Sequence, residues 1–354
     1  MEASQRGKPS NIEEVFGDRL KKGNAWRTKS ASGGPLALVL PLNAEEIEIL
    51  ARLAQTHDLP VIAAGAGLSG EVGSEEGSIV VRFDLMRRTR LPDGDEPWAE
   101  AEPGALWITL DNELRLRGRG LAVYPTSAPR ATVGGWLAVG GLGVGSFEYG
   151  WLHDNVLSAD VVLPGGVRRE VPGEDLHSVV GVGGTSGIIV NARLRTRRAD
   201  ADVPFAAAFK DPEDLAGALA SIIGTSLPLW HLAFLSPGMT RARHLGKDYL
   251  IFGAYPEART VQIEDCMRSV LGSQHGRVLS VAEAHNVWGE RFFPVAPSHP
   301  TPGAVRRLVA GSDLAETLMD RRVRAGEIAV QGSITRSGEA LLLSFDKQQG
   351  SMAK

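Results

Sequence analysis

Three glycine clusters carry the chemistry legible in this chain, because each sits where backbone rather than side chain would contact a ligand. They are Gly65-Ala66-Gly67-Leu68-Ser69-Gly70, the stretch Thr132–Gly150 in which seven of nineteen residues are glycine, and Gly181-Val182-Gly183-Gly184-Thr185-Ser186-Gly187. Glycine in an element interior costs roughly 0.5–1 kcal/mol relative to alanine. Such density therefore marks turns of positive φ or very close approach of the main chain. Val133, Trp136, Leu137, Val139, Leu142 and Val144 are interleaved through the second cluster, which rules out a flexible linker. Consecutive N–H groups of a glycine turn form an anion-binding concavity. Together the clusters predict an extended ligand with a phosphate bridge and flat ends.

The elements that must position these clusters alternate regularly. Leu36–Leu40 reads as a strand, and Asn43 as the cap of a helix over Ala44–His57, with Glu46 completing a capping box. Pro60–Ala64 and Ser78–Phe83 are predicted strands flanking the first cluster; Trp98–Ala101 is another, followed by a helix over Leu106–Arg117. Val156–Leu163 and Val167–Val171 form a predicted hairpin about Pro164-Gly165-Gly166, and Ile188–Thr196 closes the series. A further helix is predicted over Ile12–Lys21. Composition shifts to charged and small residues at Arg197–Pro204, which marks a boundary. Beyond it the pattern predicts helices at Pro212–Ile223, Val261–Leu271 and Leu314–Arg324, and strands at Leu229–Leu235, Tyr249–Ala254 and Ala340–Phe345. The expected division is an N-terminal extension (1–34), a first domain (35–199) and a smaller α+β domain (200–354).

Gly65–Gly70 matches the G-x-G-x-x-G dinucleotide fingerprint, with Asp84 at the end of the next strand. That motif needs a helix starting in the loop to receive the pyrophosphate. Only Glu71–Gly77 separates the loop from the next strand, and Gly73, Ser74 and Gly77 break it, so a nicotinamide Rossmann site is disfavoured.

At 354 residues the chain predicts two domains, and its net charge of −4 gives no reason to expect nucleic acid or an anionic membrane as partner. Arg193–Arg198 and Arg321–Arg324 read as solvated faces among acidic neighbours. The single Cys266, in a predicted helix, reads as a small buried thiol and excludes a disulfide framework, a cysteine-ligated iron–sulfur cluster or a structural cysteine zinc site within the chain. No metal site is expected. The polar start is unlike a signal or transit peptide, and no apolar run approaches the roughly 18 residues of a membrane span, so a cytoplasmic protein is expected.

Five ordered segments carry a resemblance: PLALVLPLNAEEIEILARLAQTHDLPVIAAGAGLSG, AEPGALW, YPTSAPRATVGGWLAVGGLGVGSFEYG, DNVLSADVVLPGG and GGTSGIIVNARLR. The region Pro35–Arg198 resembles the PCMH-type FAD-binding domain of vanillyl-alcohol-oxidase-type flavoenzymes, within them the glycolate oxidase and D-lactate dehydrogenase branch. The resemblance implies an α+β fold in which a PCMH-type domain of two α/β subdomains precedes a smaller α+β cap. It implies FAD as cofactor, with Ala64, Gly65, Ala66, Gly67, Leu68, Ser69 and Gly70 holding the pyrophosphate. Pro125, Thr126, Ser127, Thr132, Val133, Gly134, Gly135, Gly140, Gly143 and Ser146 would lie along the flavin and ribityl chain, and Gly187, Ile188 and Val190 at the adenine end. The first loop has no histidine of the kind that bonds the flavin covalently in some relatives, so non-covalent FAD is implied.

The implied activity is that of an FAD-linked oxidase or dehydrogenase acting on the CH–OH group of a small 2-hydroxy acid. Such chemistry calls for a cation on the substrate carboxylate and a base for the hydroxyl proton. Arg291, in VWGERFFP, resembles a segment seen after the cap helix in relatives and is the candidate clamp; a structural salt bridge is the alternative. His231 is the candidate base, set in Leu229–Leu235 with Trp230, Leu232 and Phe234 on the opposite face; the alternative is a surface or edge histidine. Arg241, Arg243 and His244 read as a solvated turn, Asp154 as a capping residue, and His153 has no assignment. The alternative function is a non-catalytic or electron-transferring FAD subunit of a larger complex, whose partner would be an iron–sulfur protein.

Overall fold

The computed structural model describes residues 12–22, 35–68, 77–199, 201–292 and 305–346, which form three sheets in chain order. The first contains β1 (Leu20–Lys22), β2 (Ala37–Val39), β3 (Val61–Ala64) and β4 (Ile79–Arg82) in the order β1-β2-β4-β3. Strands β2 and β3 both pair parallel with β4, and β1 pairs antiparallel with β2. Helix α1 (Ile12–Phe16) precedes them, and α2 (Ala44–Thr56) crosses from β2 to β3. Asn43 caps α2 by accepting the Glu46 N–H at 3.0 Å, while the Glu46 carboxylate accepts the Leu42 N–H at 2.8 Å and pairs with Arg19. The capping box is thus closed one residue early. Ile47, Leu50 and Ala54, spaced to share one helical face, are buried, and the first two join Val39, Ile79 and Val81 in one core. The helix predicted over Ile12–Lys21 stops at Phe16 because Gly17 takes φ 49° and sends the chain into β1.

The second sheet holds β5 (Thr89–Arg90), β6 (Trp98–Ala101), β7 (Arg119–Leu121), β8 (Val156–Val162), β9 (Arg168–Pro172) and β10 (Ile188–Arg198). The eleven-residue β10 organises it, pairing antiparallel with β6, β8 and β7. Its helices are α3 (Trp107–Arg115), α4 (Val133–Val139) and α5 (Ser146–Tyr149). Both α4 and α5 lie inside the second glycine cluster, where no helix was predicted.

The third sheet is antiparallel: β11 (Asp202–Phe209), β12 (His231–Leu235), β13 (Tyr249–Pro256), β14 (Arg277–Val278), β15 (Val305–Ala310), β16 (Ile328–Ile334) and β17 (Glu339–Asp346), in the order β14-β11-β13-β12-β16-β17-β15. Helices α6 (Pro212–Ile223) and α8 (Thr260–Ser273) cover one face, on which Leu232 and Phe234 are buried with Leu219 and Ile263. Helices α7 (Pro237–Ala242) and α9 (Val281–Gly289) cover the other, where Ala233 and Leu235 meet Met239 and Val287. The charged and small run at the predicted boundary is not a linker: Asp202–Phe209 pairs residue for residue with β13. The helix predicted at Leu314–Arg324 is two short helices, because Asp320 takes extended ψ and its carboxylate accepts the Arg322 and Val323 N–H groups. Cys266 is half-buried on α8.

Candidate functional site

The three glycine clusters converge on α4. Thr132 caps it by accepting the Gly135 N–H at 3.2 Å. A Cβ at Gly65, at the end of β3, would stand 2.9 Å from Thr132 Oγ1 and 3.0 Å from Gly135 Cα, so the first cluster abuts the start of α4. At the other end Gly181 N–H donates to Leu137 O at 2.8 Å and Gly183 N–H to Ala138 O at 2.7 Å. A Cβ at Gly140 would stand 2.8 Å from Gly181 Cα. Val133 is buried within α4. Ala64 is buried, whereas Ala66 and Gly67 are exposed, with N–H groups that meet no acceptor among the described residues. Ser69 and Gly70, expected in this loop, lie outside the described residues.

The glycines serve a purpose that the sequence reading did not foresee. A Cβ at Gly134 would lie 2.6 Å from Pro103 Cβ, and at Gly143 and Gly145 it would collide with the Tyr124 and Ala122 carbonyl oxygens. These positions need glycine because the rest of the protein closes directly on their backbone, with or without a ligand. Ser146, also expected along the flavin, is buried, and its hydroxyl accepts the Gly143 N–H at 2.9 Å. Gly187 has φ 150°, and Ile188 and Val190 are buried beside it. The pairing of β10 with β8 slips between Ile189 and Asn191, which sets Val190 in a bulge whose backbone groups leave that ladder.

The third sheet closes over this framework through several contacts. The Arg306 guanidinium on β15 donates to Val139 O at 3.0 Å and Gly140 O at 2.6 Å. Arg259 pairs through both nitrogens with Glu148 on α5, each at 2.9 Å. The buried Arg197–Asp202 pair (2.8 Å) lies beneath Trp230, with the Arg197 guanidinium 3.6 Å from its ring centre. Trp230 Nε1–H donates to Ala122 O at 3.1 Å.

Arg291 and His231 are brought to this junction. Arg291, just after α9, donates from Nε to Tyr124 Oη at 3.3 Å and from Nη1 to Trp288 O at 2.8 Å, and stacks on Trp288 and Phe292. Tyr124 adjoins Pro125, Thr126 and Ser127, and desolvation raises its pKa above the ordinary tyrosine value. Among the described residues Arg291 makes no salt bridge; its partners there are neutral oxygens and rings.

His231 is neither a surface histidine nor a base. It is 1% exposed, set between Phe252 and Trp288 with ring centres 5.8 Å away. Its Nδ1 accepts the Gly145 N–H at 3.4 Å, so the ring proton is on Nε2, which is enclosed without a partner among the described residues. Burial, helped by the Arg291 charge, pushes its pKa down to about 3. The role of proton acceptor expected of it is corrected accordingly: the ring nitrogen with the free pair is spent on Gly145.

Arg243, read as part of a solvated turn, is buried in the first turn beyond α7. It donates to Glu290 O at 2.5 Å and to Gln331 Oε1, and Gln331 Nε2 donates to Thr126 Oγ1 at 3.0 Å. Nothing in SPGMTRARHL distinguishes the buried arginine from the exposed Arg241; β16, unseen in the sequence, decides it. Asp154 accepts the Trp151 N–H at 3.0 Å as a turn cap, and His153 stacks on Trp151.

Residues 35–171 match the family profile described as FAD binding domain. The chain carries an FAD binding domain. FAD is accordingly its cofactor, and two features fit it: N–H groups without an acceptor among the described residues at the exposed Ala66 and Gly67, and a bulge at Val190. The chain is 28% identical over 46% of its length to "D-lactate dehydrogenase [cytochrome], mitochondrial" of Arabidopsis thaliana, covering 30% of that protein. It is 27% identical over 46% of its length to "Glycolate oxidase subunit GlcD" of Bacillus subtilis (strain 168), covering 37% of that protein. The match thus spans about a third of each relative. A solved alkyldihydroxyacetonephosphate synthase superposes over 96% of this chain and 74% of its own with a TM-score of 0.76 at 20% identity. The fold is the PCMH-type FAD-binding fold that the resemblance implied. Among the described residues no helix is long and apolar enough to cross a membrane.

Proposed function

We propose that the protein is an FAD-dependent oxidoreductase that oxidises a small 2-hydroxy acid of the glycolate or lactate type. The observation that carries this is Arg291: a cation from the second half of the chain hydrogen-bonded to Tyr124, one residue before Pro125–Ser127 in the FAD binding domain. The names of the Arabidopsis and Bacillus relatives support the substrate class. In this reading residues 35–199 hold the cofactor non-covalently, residues 200–354 cap it, and the protein works in the cytoplasm. Bound FAD would supply the acceptor for the α-carbon hydride, and, with His231 unable to act as base, the hydroxyl proton would pass to solvent water. Arg291 binds the substrate carboxylate, its planar fork directing the α-carbon toward the flavin-lining segment. Trp288 and Phe292 stack on the guanidinium and hold its plane in place. His231 supports this assembly from below, as a neutral ring against Trp288.

The test is to load the purified chain with FAD and mix it anaerobically with D-lactate, L-lactate or glycolate. Bleaching of the flavin band by one of them is expected, and Arg291→Met raises the KM for it by roughly 10- to 100-fold, the worth of one charged hydrogen bond. Denaturation should release the yellow colour if FAD is non-covalent. A second reading, a subunit passing electrons to an iron–sulfur partner, is favoured by the Bacillus relative, which is named as a subunit. A fully loaded chain bleached by no hydroxy acid would select that reading.

A further inference from the structure

We propose that Arg243 is a positioning residue that sets Arg291 and the Thr126 loop in register, acting through the Glu290 carbonyl on one side and the Gln331 side chain on the other. This rests on reading Pro125–Ser127 as cofactor-lining and Arg291 as the substrate clamp.

Arg243 and Gln331 are each 5% exposed. A guanidinium buried this deeply carries a desolvation cost that its Coulombic partners must offset. Here burial dominates: the Arg243 pKa falls to about 9, with Glu290 the opposing influence. Two acceptors of this fork are uncharged oxygens, the Glu290 carbonyl and Gln331 Oε1. Such an arrangement supplies direction, since a planar fork fixes two acceptors at a set angle.

Each acceptor leads to a different part of the site. Glu290 immediately precedes Arg291, so holding its carbonyl fixes the chain from which the Arg291 side chain reaches Tyr124. Gln331 offers its oxygen to Arg243, which settles the orientation of its amide and turns the NH2 end toward Thr126 at 3.0 Å. The Thr126 hydroxyl, accepting from Gln331, is left as a donor. One buried cation on the α7 side of the cap thereby orients a hydroxyl in the FAD binding domain and the substrate clamp together.

The relay is tested by a double-mutant cycle on FAD affinity, read by flavin fluorescence without any substrate. Thr126→Val and Gln331→Leu are each expected to weaken FAD binding by roughly tenfold, and the double variant no further than either alone, because both cut one path. Arg243→Lys keeps the charge and loses the fork; it is expected to shift the flavin absorption band and raise KM with kcat changed less. If Arg243 variants fail to fold, the Thr126 and Gln331 cycle still decides. Additive effects in the cycle, or unchanged FAD affinity in both single variants, overturn the relay. These outcomes are separable from failure of the proposed function, in which the wild type holds FAD but no hydroxy acid bleaches it while the cycle remains readable.

Discussion

The burial of His231 makes a quantitative prediction about acid stability. Its pKa is about 3 in the folded protein against 6.5 for the unperturbed side chain. The folded state therefore binds fewer protons than the unfolded state between these values, and stability rises with pH across that window. The contribution is complete above pH ~6.5 and is lost progressively as pH falls toward ~3. The full shift corresponds to about 5 kcal/mol, and the part lost between pH ~7.5 and pH ~4.5 to about 3 kcal/mol, at roughly 1.4 kcal/mol per pH unit below 6.5. The comparison is wild type against His231→Gln, which stays neutral and keeps a polar group beside Gly145. Urea unfolding of both chains at the two pH values gives the difference directly. Wild type is expected to lose about 2–3 kcal/mol more than the variant on acidification. Equal losses within ~0.5 kcal/mol would show that His231 is hydrated or paired in the folded protein, and the argument against a base at this position would fall with it.

Gly134→Ala is expected to destabilise the cofactor-free protein by about 1–3 kcal/mol, because the new methyl meets Pro103; unchanged thermal unfolding without FAD, with FAD binding lost, would mean that the side chain enters cofactor space instead. Asp202→Asn removes the charge shared by the Arg197 and Arg115 guanidinia, at 2.8 and 2.9 Å, and should cost about 3–5 kcal/mol in denaturant unfolding. A loss under ~1 kcal/mol would show that this buried pair contributes nothing net. Arg306→Met deletes the hydrogen bonds to Val139 and Gly140 and should speed FAD dissociation roughly tenfold in a stopped-flow release assay; an unchanged rate would sink the idea that β15 steadies this segment.

Local signals fixed much of the architecture. Pro212 at the first turn and Asp211 as cap delimit α6 where the periodicity predicts it, and Asn43 starts α2 as expected. These features depend on neighbours within a turn of helix, so sequence suffices. Strands β11, β15 and β16 escaped because their pairing is set by partners far along the chain: β11 answers to β13, and β16 to β12 and β17. Helix α4 escaped because its glycines argue against a helix locally, while contacts with Pro103, Gly65 and Gly181 outweigh that propensity.

The site divides in the same way. The sequence by itself determined that at Gly65, at Gly134–Gly145 and at Gly181–Gly187 the backbone had to turn with positive φ or come very close to something, the two circumstances that call for so many residues without a Cβ. It also singled out Arg291. Only the tertiary structure decided what comes close, which at Gly134, Gly140, Gly143 and Gly145 is the protein's own chain. It likewise decided that Arg243 is buried and that His231 has no basic nitrogen to offer. A residue's type sets which hydrogen bonds it can make; burial and partners, contributed by strands up to two hundred residues away such as that of Gln331 facing Thr126, set which of them it does make.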